Sequence, residues 1–193
     1  MAGQSIWFET KQSEGIFARG RKVLHLGDQP VEANFRITLT GHYRLWINGL
    51  MVGRGPASSS ITTMKYDVWD VGDFLQPGSN VLAVEVIYYG YKLSSFPESP
   101  AAFWCEITLD GRTAAQSDLS WKWSLDPSYQ QGGTRRNSCY GPMEVYDARN
   151  QEAWKELRYD DSGWCPSIRV DAPWTKLVQR AIPPCREYSM RPQ

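Results

Sequence analysis

Strict alternation of apolar and polar residues, interrupted by turn residues at fixed places, restricts the fold of this chain most, and it is clearest between Tyr43 and Gly90. Tyr43, Leu45 and Ile47 share one face of an extended segment; Arg44, Trp46 and Asn48 share the other. Asn48-Gly49 follows, and both residues accept positive φ, so a two-residue hairpin is predicted there, with Leu50-Met51-Val52 returning. Pro77-Gly78 is the residue pair of a type II turn. After it, Asn80 to Tyr89 alternates again, with Leu82, Val84, Val86 and Tyr88 on one face.

The same pattern extends outward. Ile6-Trp7-Phe8 reads as a first short strand, and residues 9–30 as a polar, mixed stretch ending in the turn Gly27-Asp28-Gln29-Pro30. Val31, Ala33, Phe35, Ile37 and Leu39 alternate with polar residues, which predicts a half-buried strand. Tyr66–Val71, Ala101–Leu109, Trp121–Leu125 and Ile168–Val170 read as further strands, with a hairpin at Asp110-Gly111. Gly53 to Thr63 has no periodic pattern and reads as a loop, residues 126–150 are loop-rich with a short edge strand at Val145-Tyr146, and Gln151–Leu157 suits one or two helical turns. Eight or nine short strands separated by turns, with almost no helix, predict an all-β, two-sheet sandwich. Residues 1–171 form that domain in this reading, and residues 172–193, with Pro173, Pro183 and Pro184, form a proline-rich linker.

Composition excludes several functions. Lys+Arg and Asp+Glu are both 21, so the net charge is zero and no basic field exists for nucleic acid or an anionic membrane. No apolar run is long enough to span a bilayer. The N-terminus lacks the pattern of a signal peptide, so a cytoplasmic location is expected, or a secreted one if a signal peptide has been removed. Cys105, Cys139, Cys165 and Cys185 lack the spacing of a zinc site and are expected as free, mostly buried thiols. Nine Trp and ten Tyr suit a sandwich core, and one or two of these rings on the surface would make platforms for sugar stacking.

Catalytic signatures are not found. His25 and His42 lie in neither a GxSxG elbow nor an HExxH helix. Gly53-Arg54-Gly55 lacks the remainder of a nucleotide-binding loop. The pairs Asp67/Asp70 and Asp160/Asp161 are close in sequence, as turn-capping carboxylates are, rather than set to flank a glycosidic bond. No catalytic residue, metal site or cofactor is assigned. Calcium, which loop carboxylates and carbonyls can ligate, stays open as an alternative.

One resemblance is specific. YRLWINGLMVGRGPA from Tyr43, YDVWDV from Tyr66 and LQPGSNVLAVEV from Leu75 resemble the N-terminal β-domain of bacterial α-L-rhamnosidases of glycoside hydrolase family 78. Tyr146-Asp147-Ala148-Arg149, Asp160-Asp161-Ser162-Gly163-Trp164, Pro173-Trp174 and Leu177 to Pro184 continue it in order. A weaker form of the central pattern also occurs in sugar-binding domains of family 2 glycosidases. The resemblance implies a galactose-binding-like jelly roll and places catalysis in a separate (α/α)6 barrel, which this chain is too short to hold. Cys185 stands where an apolar residue is usual after the two prolines.

Two functions follow from it: a non-catalytic domain that assists binding of a rhamnose-containing carbohydrate, or a spacer packed on downstream domains of the same polypeptide. For the first, the candidate sugar-facing residues are Arg54, whose guanidinium can fork to vicinal hydroxyls, and the rings Trp69, Tyr89 and Tyr91 at strand ends. Asp67 is expected to anchor the Gly53–Thr63 loop through backbone N–H groups.

Overall fold

The computed structural model describes residues 4–94, 96–135, 137 and 139–184. Among them are twelve strands: β1 (Ile6–Phe8), β2 (Ile16–Leu26), β3 (Ala33–Leu39), β4 (His42–Ile47), β5 (Leu50–Gly55) and β6 (Thr63–Asp70), then β7 (Gly78–Tyr88), β8 (Phe103–Leu109), β9 (Arg112–Gln116), β10 (Lys122–Leu125), β11 (Cys165–Arg169) and β12 (Lys176–Gln179). One layer runs β12-β6-β3-β8-β1, with β9 also on β8; the other runs β11-β10-β2-β7-β4-β5. β11 pairs both β1 and β10 and so joins the layers at one edge. Every named pairing is antiparallel except β12 on β6. The molecule is an all-β jelly-roll sandwich.

The alternation in the sequence sets the register. Leu82, Val84 and Val86 of β7 stand opposite Ile47, Leu45 and Tyr43 of β4, and all six are fully or almost fully buried. Phe35, Ile37, Leu39, Phe103, Cys105 and Ile107 of the other layer close on them, together with the buried rings of Trp121 and Trp123. Fully buried Leu, Ile or Phe side chains each contribute roughly 1.5–3 kcal/mol of transfer free energy. The hairpin at Asn48-Gly49 forms with φ of 51° and 80°, as the dipeptide requires.

The strand reading was incomplete. β2, eleven residues long, runs through the stretch read as polar and mixed. Its odd positions carry Arg19, Arg21, Val23 and His25 on the outer face, so charge masks the alternation. β9 and β12 are short and were not anticipated. Lys176–Gln179, within the expected linker, instead adds to the sheet edge: its backbone pairs with β6 from Thr63 to Tyr66, and two adjacent half-buried apolar residues left too little pattern to mark it. Val31 lies outside β3 and is 97% exposed, because the Asp110 carboxylate accepts the N–H groups of Val31 and Glu32 and turns the chain there. Val145-Tyr146 contributes a bridge to Tyr129 rather than a strand. Gln151–Leu157 forms turns, after a 3-10 turn at Ala148–Asn150 capped by Asp147, and no α-helix occurs among the described residues. Cys105 is buried, but Cys139, in a loop, and Cys165, at the start of β11, are exposed; Cys185 lies outside the described residues.

The outer face of the β2-β7-β4 layer is covered as well. Trp154, Tyr159 and Trp164 pack on Trp46, Val81 and Ala83. Cations stitch this cover down: the Arg19 guanidinium lies 4.8 Å from the Trp164 ring centroid, and the Lys155 ammonium 3.8 Å from that of Trp46. Arg21, 1% exposed, donates to Asp161 and to the carbonyl oxygens of Glu156 (2.7 Å) and Tyr159 (3.3 Å). The Asp160-Asp161-Ser162-Gly163-Trp164 segment is therefore a fastening for the cover. Asp161 takes Arg21 and Lys122, Asp160 caps the turn by accepting the Ser162 N–H, and Trp164 stacks on Arg19.

Candidate functional site

The cover stops short of the β4-β5 end of the layer, and a cavity of about 340 Å³ opens there. Register places Arg19, Glu85, Arg44 and Arg54 in one row across β2, β7, β4 and β5. Arg44, Arg54 and Glu85 from this row line the cavity, with His42, Tyr89 and Glu144 around them. Arg44 Nη1 donates to Glu85 Oε1 at 2.6 Å. Burial raises the Glu85 carboxyl above the usual carboxylate range, against the pull of Arg44 and Lys155. Burial lowers the His42 imidazole, opposed by a hydrogen bond to the Gly55 backbone and helped by the charge of Arg54, so His42 is neutral at pH 7. Burial likewise raises the Tyr89 phenol, which remains protonated. The His42 ring meets Phe96 edge-on at 4.5 Å and Tyr89 at 5.8 Å, so it is held between aromatic walls. The site offers guanidinium donors, carboxylate acceptors and an aromatic edge.

Of the four residues singled out from the sequence as sugar-facing, Arg54 and Tyr89 line this cavity. Trp69 does not: its ring lies over Gly53, and its Nε1 donates to the Tyr43 hydroxyl at 2.9 Å. Tyr91 is buried beneath the Arg135 guanidinium, which sits 3.8 Å from its ring centroid. Asp67 does not meet the backbone N–H groups of the Gly53–Thr63 loop. It accepts the Tyr43 hydroxyl and Arg180 Nη1, the latter at 2.7 Å. A Cβ on Gly55 would fall inside the Asp67 carboxylate, which is why β5 passes this point as glycine. Arg44, Glu85, His42 and Glu144 were missed. Glu85 carried a signal, as a lone carboxylate in the otherwise apolar run from Val81 to Tyr89. Glu144 carried none, because only the tertiary fold brings it to β7. Among the described residues no group of three or more His, Cys, Asp or Glu side chains is placed to hold a metal ion.

The fold is that of a jelly-roll sandwich domain with a cavity at the β4-β5 end of one layer. The chain belongs to the family of α-L-rhamnosidase N-terminal domains, whose profile matches residues 28–189. It is similar in structure to a family 78 rhamnosidase of Bacillus sp. GL1, with a TM-score of 0.88 and 31% identity over 95% of this chain and 20% of that one. The α-L-rhamnosidase of Dictyoglumus thermophilum shares the fold with a TM-score of 0.75 and 22% identity, over 94% of this chain and 22% of that one. So does a Pleurotus ostreatus lectin solved with GalNAc, with a TM-score of 0.57 and 19% identity, over 87% and 43% of the two chains. No curated protein matches the sequence. The chain thus spans about a fifth of the length of the rhamnosidases it resembles.

Proposed function

We propose that this chain is a non-catalytic accessory domain of an α-L-rhamnosidase. It assists the binding or orientation of a rhamnoside whose glycosidic bond is hydrolysed by an (α/α)6 barrel elsewhere in the polypeptide. The cavity beside Arg54 and Tyr89 is the observation that carries the binding half of this reading. The Arg54 fork suits vicinal hydroxyls. The Tyr89 ring suits the apolar face of a pyranose. Glu144, exposed at the rim, suits a donated sugar hydroxyl.

A second reading, a spacer packed on neighbouring domains, is favoured by Tyr140, Met143, Val145 and Tyr146, which are 68%, 42%, 49% and 48% exposed and close together in sequence. Isothermal titration with L-rhamnose and methyl α-L-rhamnoside, with and without calcium, separates the two. Binding heat that Arg54→Ala abolishes while the circular dichroism spectrum is unchanged supports the accessory site. Absence of heat at millimolar sugar under both conditions leaves the spacer.

A further inference from the structure

Arg180 belongs both to the wall of the cavity and to the segment that runs on from β12. Its side chain is 11% exposed and that of its partner Asp67 is 3% exposed, so the pair is largely withdrawn from water. The guanidinium has two tasks. Nη1 binds Asp67 Oδ1 at 2.7 Å, while Nε and Nη2 donate to the carbonyl oxygens of Ile182 (2.9 Å) and Pro183 (3.2 Å). Its own backbone N–H donates to the Tyr66 carbonyl at 2.9 Å. On the other side, Asp67 holds the Tyr43 hydroxyl, which also accepts the Trp69 indole N–H. One buried carboxylate therefore ties β4 and β6 to the course of residues 180–184, with the backbone of β5 pressed against it at Gly55.

We propose that the Asp67–Arg180 pair is a latch that fixes residues 176–184 against the sandwich and couples that position to the occupancy of the cavity. Arg180 is a positioning residue in this scheme. A ligand that packs against its guanidinium holds the segment down, and release of the segment removes one wall of the site. The coupling rests on the proposed carbohydrate site; the latch itself does not. Asp67 lines the opposite side of the segment, with Val68 and Ile182, and not the sugar cavity. A change in ligand affinity on altering Asp67 must then pass through Arg180 or Tyr43.

The test is hydrogen exchange on the 193-residue chain, wild type against Asp67→Asn and Arg180→Lys. Loss of a charged hydrogen bond is expected to speed exchange of the Arg180 amide at least about tenfold in Asp67→Asn, with β7 amides unchanged. Arg180→Lys keeps the charge and loses the carbonyl bonds, so it gives an intermediate rate. Unchanged exchange at Arg180 in both variants overturns the latch, and so does an equal loss of protection in β7, which would make the pair part of the global core. With methyl α-L-rhamnoside as probe, wild type is expected to show slower exchange over residues 176–180, and Asp67→Asn a several-fold weaker affinity. Binding that leaves this exchange and the affinity of Asp67→Asn unaltered overturns the coupling. Absence of binding to wild type overturns the carbohydrate reading and the coupling together, and the unliganded exchange alone then decides the latch.

Discussion

Replacing Asp161 by asparagine removes the anion that holds the outer cover to its sheet while keeping side-chain volume. Arg21 is left 1% exposed, with its charge facing the carbonyl oxygens of Glu156 and Tyr159, the Tyr159 ring and a side chain that can accept but not neutralise. Removing one member of a buried ion pair costs about 3–5 kcal/mol. Two features reduce that here. Asp161 is itself 17% exposed, and the two carbonyl bonds survive. Lys122, the other cation on Asp161, is 43% exposed and adds little. The expected loss is about 2–3 kcal/mol, and at about 2–4 °C per kcal/mol for a chain of this size, Tm falls by about 4–12 °C. Differential scanning calorimetry is the assay, with Asp160→Asn as the neighbouring control. Asp160 caps an exposed turn, and its substitution is expected to move Tm by no more than about 2 °C. An Asp161→Asn protein that melts within about 1 °C of wild type would refute the claim that this segment is fastened through Arg21.

Other expectations are equally concrete. His42 has a folded pKa below its ordinary 6.5, so between those values the unfolded chain binds more protons; stability is present above pH 6.5 and is lost as pH falls through that window. Urea unfolding at stepped pH checks this, and His42→Phe is expected to flatten the profile there. Gly20→Ala would set a Cβ 2.7 Å from the buried Trp123 ring, which has no room to yield, and is expected to cost about 1–3 kcal/mol as a lower urea midpoint. Cys139 and Cys165 are expected to react with a thiol reagent in the native protein, whereas Cys105, buried and with its thiol pKa pushed well up by burial, reacts only on unfolding.

Much of the fold was legible because the dominant signals are local. Period two in Tyr43–Ile47 and Leu82–Tyr88, and the turns at Asn48-Gly49, Pro77-Gly78 and Asp110-Gly111, each depend on residues within a few positions. β2 was not legible because two of its outward side chains, Arg19 and Arg21, are arginines buried by a cover that arrives from residues 154–164. No local pattern records that a charge will be matched by a carboxylate from position 161. The candidate site divides in the same way. Arg54 and Tyr89 were found as an unexplained loop cation and a ring at a strand end. Trp69 and Tyr91 looked equivalent but are engaged by Gly53, Tyr43 and Arg135.

By itself, the sequence determined the fold class and the family. Apolar alternation can be satisfied only by a sheet with one face buried, and the turn dipeptides fix where each strand reverses. Tertiary structure decided which charges meet. Glu85 is neutralised by Arg44, Arg21 by Asp161 and Asp67 by Arg180, from strands and segments 41, 140 and 113 residues apart. The burial of these groups, the shape of the cavity beside Glu85 and the docking of residues 176–184 all depend on those long-range pairings. They follow from packing two layers and a cover together, not from any neighbourhood in the chain.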